Sequence, residues 1–309
     1  MRTNTGLESP ASAASAPRLL PGLAFAVAGA ITFSGKAIIV KLAYRYGVDA
    51  VTLIMLRMLF ALPFFAAMAW WASRGRPRLQ PRDWLGVVGL GISGYYVSSF
   101  LDFVGLQYVT ASLERLILYL TPTLVLLLGW LLHRKPFTRT QLAGMGISYA
   151  GVLLVFGHEL GLQGEGTLFG ATLIFISAVT YAIYLVCSGQ LVQRLGSLRL
   201  VGLATSVACL CCIVQFLLLR PVGAALSVAP QVVWLSLLNA TLCTAVPVLL
   251  VMMAIERIGP ALSAQTGMVG PLSTIAMGAL ILGEPFTGWI VVGTALVIAG
   301  IFVFTRSGR

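Results

Sequence analysis

A chain of 309 residues that is 59% hydrophobic and only 9% charged, with a mean hydropathy of +0.97, carries more apolar surface than one water-soluble core can hide. That excludes an ordinary soluble domain and points to an integral membrane protein. The net charge of +11 is spread over many short segments and does not gather on one basic face, so the expected partner is the lipid bilayer, with no nucleic acid.

Residues 1–17, MRTNTGLESPASAASAP, are rich in Ala, Ser and Pro and lack the apolar content needed to fold, which predicts a disordered cytoplasmic tail. A secretory signal would place its small residues after the apolar run. Here they precede it and the run is of full spanning length, so the first helix is expected to stay. A spanning helix needs about 20 predominantly apolar residues. Ten such segments follow: α1 over 21–42, α2 over 51–72, α3 over 84–106, α4 over 110–131, α5 over 138–157, α6 over 167–188, α7 over 199–219, α8 over 231–253, α9 over 260–281 and α10 over 286–305. The predicted fold is an all-α membrane protein.

The basic residues orient it. With the amino terminus cytoplasmic, the inside segments hold Arg2, Arg18, Arg74, Arg76, Arg78, Arg82, Arg134, Lys135, Arg139, Arg194, Arg199, Arg257, Arg306 and Arg309, whereas the outside loops hold only Lys41, Arg45 and Arg220. The expectation is an integral plasma (inner) membrane protein with both termini cytoplasmic. Cys187, Cys209, Cys211, Cys212 and Cys243 all fall within predicted helices without a C-x-x-C, and read as small packing residues; no metal or cofactor is expected.

An offset of 149 residues lays one half of the chain on the other. Pro122 meets Pro271, Gly129 meets Gly278, Pro136-Phe137-Thr138 meets Pro285-Phe286-Thr287, Gly144 meets Gly293, and Ala150-Gly151 meets Ala299-Gly300. The expected units are 18–157 and 164–305. Each holds five spans, an odd number, so the second copy enters the membrane from the opposite side. The turn after α4 reads His133-Arg134-Lys135 and its counterpart after α9 reads Leu282-Gly283-Glu284, positive inside and acidic outside. Inverted repeats are an architecture of secondary transporters.

With Leu282-Gly283-Glu284-Pro285-Phe286 followed by Gly293 and Ala299-Gly300, Pro271 upstream and Leu56-Arg57 early in α2, the sequence resembles the drug/metabolite transporter superfamily, specifically its EamA-type members, over residues 18–305. The resemblance implies ten helices, cytoplasmic termini, a cavity formed mostly by α1, α3, α4, α6, α8 and α9, and peripheral α5 and α10. It implies transport of a small molecule and leaves the substrate open among amino acids, drugs, sugars and other metabolites. His133-Arg134-Lys135 departs from the Leu-Gly-Glu often found in the first repeat.

Five charges fall inside predicted helices, roughly 6 to 11 Å outside the helix midpoints at a rise of 1.5 Å per residue: Lys36, Arg57, Asp102, Glu114 and Arg115. Intramembrane charges face the bundle interior, pair, or line a watery path. Two readings stay open. The five form a staple for α1–α4, with Asp102 and Arg115 paired across a short hairpin, or they bind substrate. The second repeat carries Ser263 and Ala264 where the first has Glu114 and Arg115, which favours binding.

Gly91, Tyr95, Ser98 and Asp102 form one helical stripe, and Ser177, Tyr181, Tyr184 and Ser188 another. Each reads as interhelical packing or as cavity lining. Tyr119, Asn239, Ser263, Gln265 and Thr266 complete the candidate binding set, with Pro122, Pro247 and Pro271 as kink candidates. No H-E-x-x-H, G-x-S-x-G or Walker loop is present, so no catalysis is expected. The expected substrate is a small zwitterion or organic acid, with a cationic drug as the alternative, or a membrane sensor or scaffold that transports nothing. Oligomeric state stays open. Facilitated export is favoured over proton antiport, because the cations of the layer outnumber its carboxylates.

Overall fold

The computed structural model describes residues 16–133, 138–163, 166–266 and 269–306. The expected tail over 1–17 lies almost wholly outside them, as do Arg134 and Lys135. All regular structure among the described residues is helical. The spans are α1 Ala16–Tyr44, α2 Ala50–Ser73, α3 Pro81–Gly105, α4 Ala111–Leu131, α5 Arg139–Gln163, α6 Gly166–Leu195, α7 Ser197–Leu219, α8 Pro230–Val251, α9 Val269–Leu282 and α10 Gly288–Arg306. Eight of these helices are long and apolar enough to cross a membrane, and the shorter apolar α9 and α10 complete the ten.

The boundary expected between α8 and α9 is not marked by a break in helical backbone, which runs on over Val246–Thr266. The chain nevertheless reverses there. Leu250 and Val251 sit against Gly29 of α1 and Ile258 sits against Gly22, whereas Gly270 returns to Ser34, whose hydroxyl donates to its carbonyl at 2.9 Å.

The helices alternate between two ends of the bundle: a near end, where α1 begins, and a far end, where it finishes. Ion pairs and hydrogen bonds fasten each end. At the near end Arg194 meets Asp83 at 2.7 Å, and Arg199 donates to Ser73 Oγ and Pro77 O at 3.0 and 3.1 Å. At the far end Tyr44 donates to Phe103 O at 2.6 Å and Arg220 meets Asp49 at 3.5 Å.

The two repeats pack around a pseudo-twofold relation that can be followed atom by atom. Gly151 faces Gly293 across α5 and α10, where an added Cβ would lie 2.6 Å from the Gly293 carbonyl oxygen. Its image under the 149-residue offset is Gly144 facing Gly300, and there an added Cβ on Gly300 would lie 2.6 Å from the Gly144 carbonyl oxygen. Between them Ser148 donates to Val297 O at 3.4 Å, a pair that maps onto itself. Small residues let two backbones approach this closely where no solvent drives helices together.

Helical hydrogen bonding loosens where prolines and cavity residues occur. α4 is interrupted between Leu118 and Thr121. Pro122 has no N–H for the Leu118 carbonyl, and the Thr121 hydroxyl takes that acceptor instead at 2.6 Å. π-helical stretches occupy Gly91–Val97 in α3 and Thr241–Ala245 in α8, positions that correspond under the repeat; the second lies just before Pro247. A third, Gly278–Leu282, ends α9.

Candidate functional site

The bundle encloses a cavity of about 430 Å³. Its lining comes from α1 (Phe33, Lys36), α2 (Arg57, Met58, Phe65), α3 (Tyr95, Ser98, Asp102), α4 (Arg115, Tyr119, Thr121), α6 (Ser177, Tyr181), α7 (Val201, Thr205) and α8 (Thr244, Val248), among others. This differs from the helix set implied by the resemblance. α2 and α7 contribute, and none of the described lining residues belongs to α9. α5 and α10 stay outside because they are consumed by their own glycine contact.

The five charges do share one layer, but their partners differ from the sequence expectation. Asp102 does not pair with Arg115. Lys36 Nζ reaches Asp102 Oδ2 at 2.6 Å and Glu114 Oε1 at 3.1 Å, so one ammonium serves two carboxylates. Glu114 has no exposure and approaches Lys36 from behind the lining, whereas Asp102 borders the cavity.

The guanidiniums are held by neutral groups. Arg57 donates to Thr244 Oγ1 through Nη2 at 3.1 Å and Nε at 3.3 Å and lies over the Phe103 ring, while its Nη1 has no acceptor. Arg115 donates from Nε to Thr274 Oγ1 at 3.0 Å and from Nη2 to Phe33 O at 3.4 Å. Both threonine hydroxyls spend their own proton on backbone, Thr244 on Asn239 O at 2.9 Å and Thr274 on Gly270 O at 3.2 Å. Their oxygens therefore face the arginines as acceptors only. Both arginines are nearly fully buried, so neither charge is relieved by bulk water.

The two polar stripes zip together. Ser98 and Ser177 bond each other, with Oγ atoms 3.0 Å apart and Ser177 Oγ donating to Ser98 O at 2.7 Å. The Tyr95 and Tyr184 hydroxyls lie 3.2 Å apart, Tyr95 sits edge-on to both other rings, and Tyr181 stacks on Tyr184. Packing and lining therefore coexist: Tyr95, Ser98, Ser177 and Tyr181 border the cavity, while Tyr184 stands behind them, 4% exposed. Ser188 turns back on its own helix, donating to Leu185 O. Asn239 also stands behind the lining, its Nδ2 donating to Lys36 O at 3.4 Å. Tyr119 borders the cavity. Thr266 is not among the described lining residues, and the side chains of Ser263 and Gln265 lie outside the described residues.

Sequence reasoning missed Thr244, Thr274 and the apolar wall of Phe33, Met58 and Phe65. For Thr244 a signal existed, since the repeat offset places it opposite Tyr95. Thr274 shows no such signal.

At the far end of the bundle, beyond the cavity lining, a charged latch is built around the start of α4. Gly283, at φ +71°, ends α9 in the left-handed region and turns the chain so that Glu284 folds back. Glu284 Oε1 accepts from Ala111 N at 2.8 Å, and Oε2 accepts from Ser112 Oγ at 3.1 Å. Glu159 of α5 accepts from the Thr110 hydroxyl and amide, and Lys41 donates to Val109 O. The carboxylates thus meet the unpaired amides and positive dipole end of α4. Toward the near end the cavity continues past Tyr95 and Tyr181 to Phe65, Val201 and Thr205.

This two-repeat bundle has a counterpart among known families. The EamA-like transporter family matches residues 20–157 and again 168–306. The chain belongs to the EamA-like transporter family. Family relatives include the uncharacterized transporter YcbK of Bacillus subtilis (strain 168), 30% identical over 273 residues, covering 85% of this chain and 86% of the relative. An uncharacterized transporter of Archaeoglobus fulgidus is 23% identical over 276 residues, 89% of this chain and 94% of the relative. A solved crystal structure with 20% identity superposes with a TM-score of 0.60 over 94% of this chain and 99% of its own, which shows a shared fold. As an EamA-like transporter the protein is an integral membrane protein of two five-helix repeats, and its cavity is the place to look for a substrate.

Proposed function

We propose that this protein is a secondary transporter that exports a small zwitterion or organic acid, amino acids and related metabolites fitting best, by alternating access across the plasma membrane with both termini cytoplasmic. The observation that carries the reading is that Arg57 and Arg115 border one cavity, nearly fully buried, with only neutral acceptors in place. A carboxylate is the group that would neutralise them and accept their forked N–H donors.

Two orphaned atoms at this layer sharpen the class. Arg57 Nη1 lacks an acceptor and Asp102 Oδ1 lacks a donor. The carboxylate and ammonium of a zwitterion supply one of each. Phe33, Met58, Phe65, Tyr95 and Tyr181 offer the rest of the molecule an apolar wall. A lipophilic cation fits less well, because it brings no anion to Arg57 and Arg115, which border the same cavity.

The latched far end and the cavity reaching toward the near end correspond to one of the two states that alternating access requires. With the termini in the cytoplasm it is the loading state of an exporter. Preference for export over uptake rests on the family resemblance. The test is an untargeted comparison of medium and cell contents with the protein present and absent, followed by uptake of each hit into liposomes holding the purified protein. Carboxylate-bearing hits whose flux falls in Arg57→Gln and Arg115→Gln support the reading. Hits confined to lipophilic cations overturn the site assignment, and absence of flux for every hit overturns transport.

A further inference from the structure

The charged layer divides unequally. Among the described residues Lys36 is the single cation in contact with its two carboxylates, since Arg57 has gone to Thr244 and Arg115 to Thr274 and Phe33 O. Four carboxylate oxygens thus share one ammonium. Asp102 Oδ1 and both Glu114 oxygens have no hydrogen-bond donor, and Glu114 is wholly enclosed. The 3.1 Å approach of Lys36 to Glu114 is an ion pair without hydrogen-bond alignment.

Among the described residues the surroundings supply no other donor. From α1, Lys41 is committed to Val109 O and Tyr44 to Phe103 O. Arg57 on α2 and Arg115 on α4 are held as described. Asn239 on α8 gives its amide to Lys36 O, and Cys243 on the same helix is buried beside this layer. Glu159 of α5 and Glu284 beyond α9 add only negative charge, at the start of α4.

Two carboxylates that share one ammonium, with Glu114 wholly enclosed, carry one negative charge that no cation in contact offsets, a disfavoured arrangement at such burial. Placing a proton on either group removes that charge and creates the missing donor, because the new O–H can bond an oxygen of its neighbour. We propose that Lys36, Asp102 and Glu114 form a proton-binding site that holds one proton shared between the two carboxyl groups while the far end is latched. The proton enters from hydronium in the cavity, which leaves as water, and it enters through Asp102, since only Asp102 of the two borders the cavity. The cluster then passes from a charge of minus one to zero. This reverses the charge count made from sequence, in which the arginines keep both carboxylates ionised.

One consequence rests on the transporter reading. A substrate ammonium and the proton compete for Asp102, so loading releases the proton and the protein works as an antiporter. The proton site itself stands apart from that reading, and its test uses no substrate.

The full-length protein, purified and reconstituted in lipid, is compared by infrared difference spectroscopy across a pH series in H2O and D2O. The expected result is a carbonyl-stretch band of un-ionised carboxylic acid that persists at about pH 7, where exposed carboxylates are ionised, shifts in D2O, and disappears as pH rises. Asp102→Asn and Glu114→Gln should each abolish it, because the remaining carboxylate then has Lys36 to itself. Lys36→Met should move its loss to higher pH. Absence of the band in the wild type at neutral pH overturns the proposal without any variant, and so does its survival in a folded Asp102→Asn/Glu114→Gln protein. A clear band together with no flux for any metabolite would sink the transporter reading and leave the proton site standing.

Discussion

Arg57 of the first repeat donates through two nitrogens to a single oxygen of the second, the Thr244 hydroxyl. That oxygen is presented by a π-helical stretch, Thr241–Ala245, in which the Thr244 side chain also bonds the Asn239 carbonyl five residues back. A charge on one half is thereby positioned by the backbone irregularity of the other. Thr244→Val keeps the shape and removes the acceptor, leaving a buried guanidinium without its partner. We expect a loss of about 1–3 kcal/mol, read as a lowered thermal midpoint in detergent, with Thr244→Ser recovering most of it.

Glu284 serves the far end in a comparable way. Its carboxylate satisfies the Ala111 amide and the Ser112 hydroxyl at the start of α4. Glu284→Ala should cost about 1 kcal/mol, as loss of a helix cap does. Hydrogen exchange at the Ala111 and Ser112 amides should quicken while exchange within α7 stays unchanged. Unaltered exchange at those two amides would show that the latch is not what protects them.

The α5–α10 contact predicts a graded series within one pair of helices. Gly151→Ala and Gly293→Ala each force a methyl to within 2.6–2.8 Å of the opposite carbonyl oxygen, and each should destabilise by about 1–3 kcal/mol. The two glycines face each other across one contact, and a methyl on Gly293 would also meet Val155 Cγ2, closer still than the carbonyl oxygen, so Gly293→Ala should cost at least as much as Gly151→Ala. Gly157→Ala, in the same α5 but with open space around it, should stay within about 0.5 kcal/mol of wild type. Thermal unfolding of the three variants side by side makes the comparison.

Asp49 gives a pH dependence outside the spans. Partial burial disfavours its charge, but the Thr52 hydroxyl and amide, Arg220 and the Val51 amide outweigh it and hold the carboxyl below its usual range. A depressed folded pKa stabilises above the unfolded value of about 3.9 and loses that contribution as pH falls through the folded value. The thermal midpoints of wild type and Asp49→Ala should therefore differ at neutral pH and converge in acid. A gap that widens in acid would contradict this cap.

Reporter fusions test the orientation. A fusion after Arg78 should be cytoplasmic and one after Ser227 should lie on the opposite side, following the distribution of basic residues. The reverse pattern would invert the proposed direction of transport as well.

The spans, their number and the duplication were legible in the sequence because each is a local or periodic property. A spanning segment must satisfy its own backbone, so about 20 apolar residues announce it, and the repeat shows as matching residues at a fixed offset. The intramembrane charges were legible for the same reason, as Lys36, Asp102 and Glu114 interrupt apolar helices. One boundary was not: helical backbone continues over Val246–Thr266 even though the chain reverses there.

Pairing was decided by the tertiary structure alone. From sequence, Asp102 and Arg115 stand across a short hairpin, yet Lys36 takes both carboxylates and each arginine reaches a threonine on the other repeat. Long side chains select partners by where three or four helices bring their ends together, and helical register along the chain carries no information about that meeting. The same holds for Glu284, whose role depends on a left-handed glycine aiming it at a helix 173 residues away in the chain. Composition and periodicity thus determined a ten-helix, twofold membrane protein with charges at its heart. Which of those charges are satisfied, and which are left to face a cavity, depended on the packing of one repeat against the other.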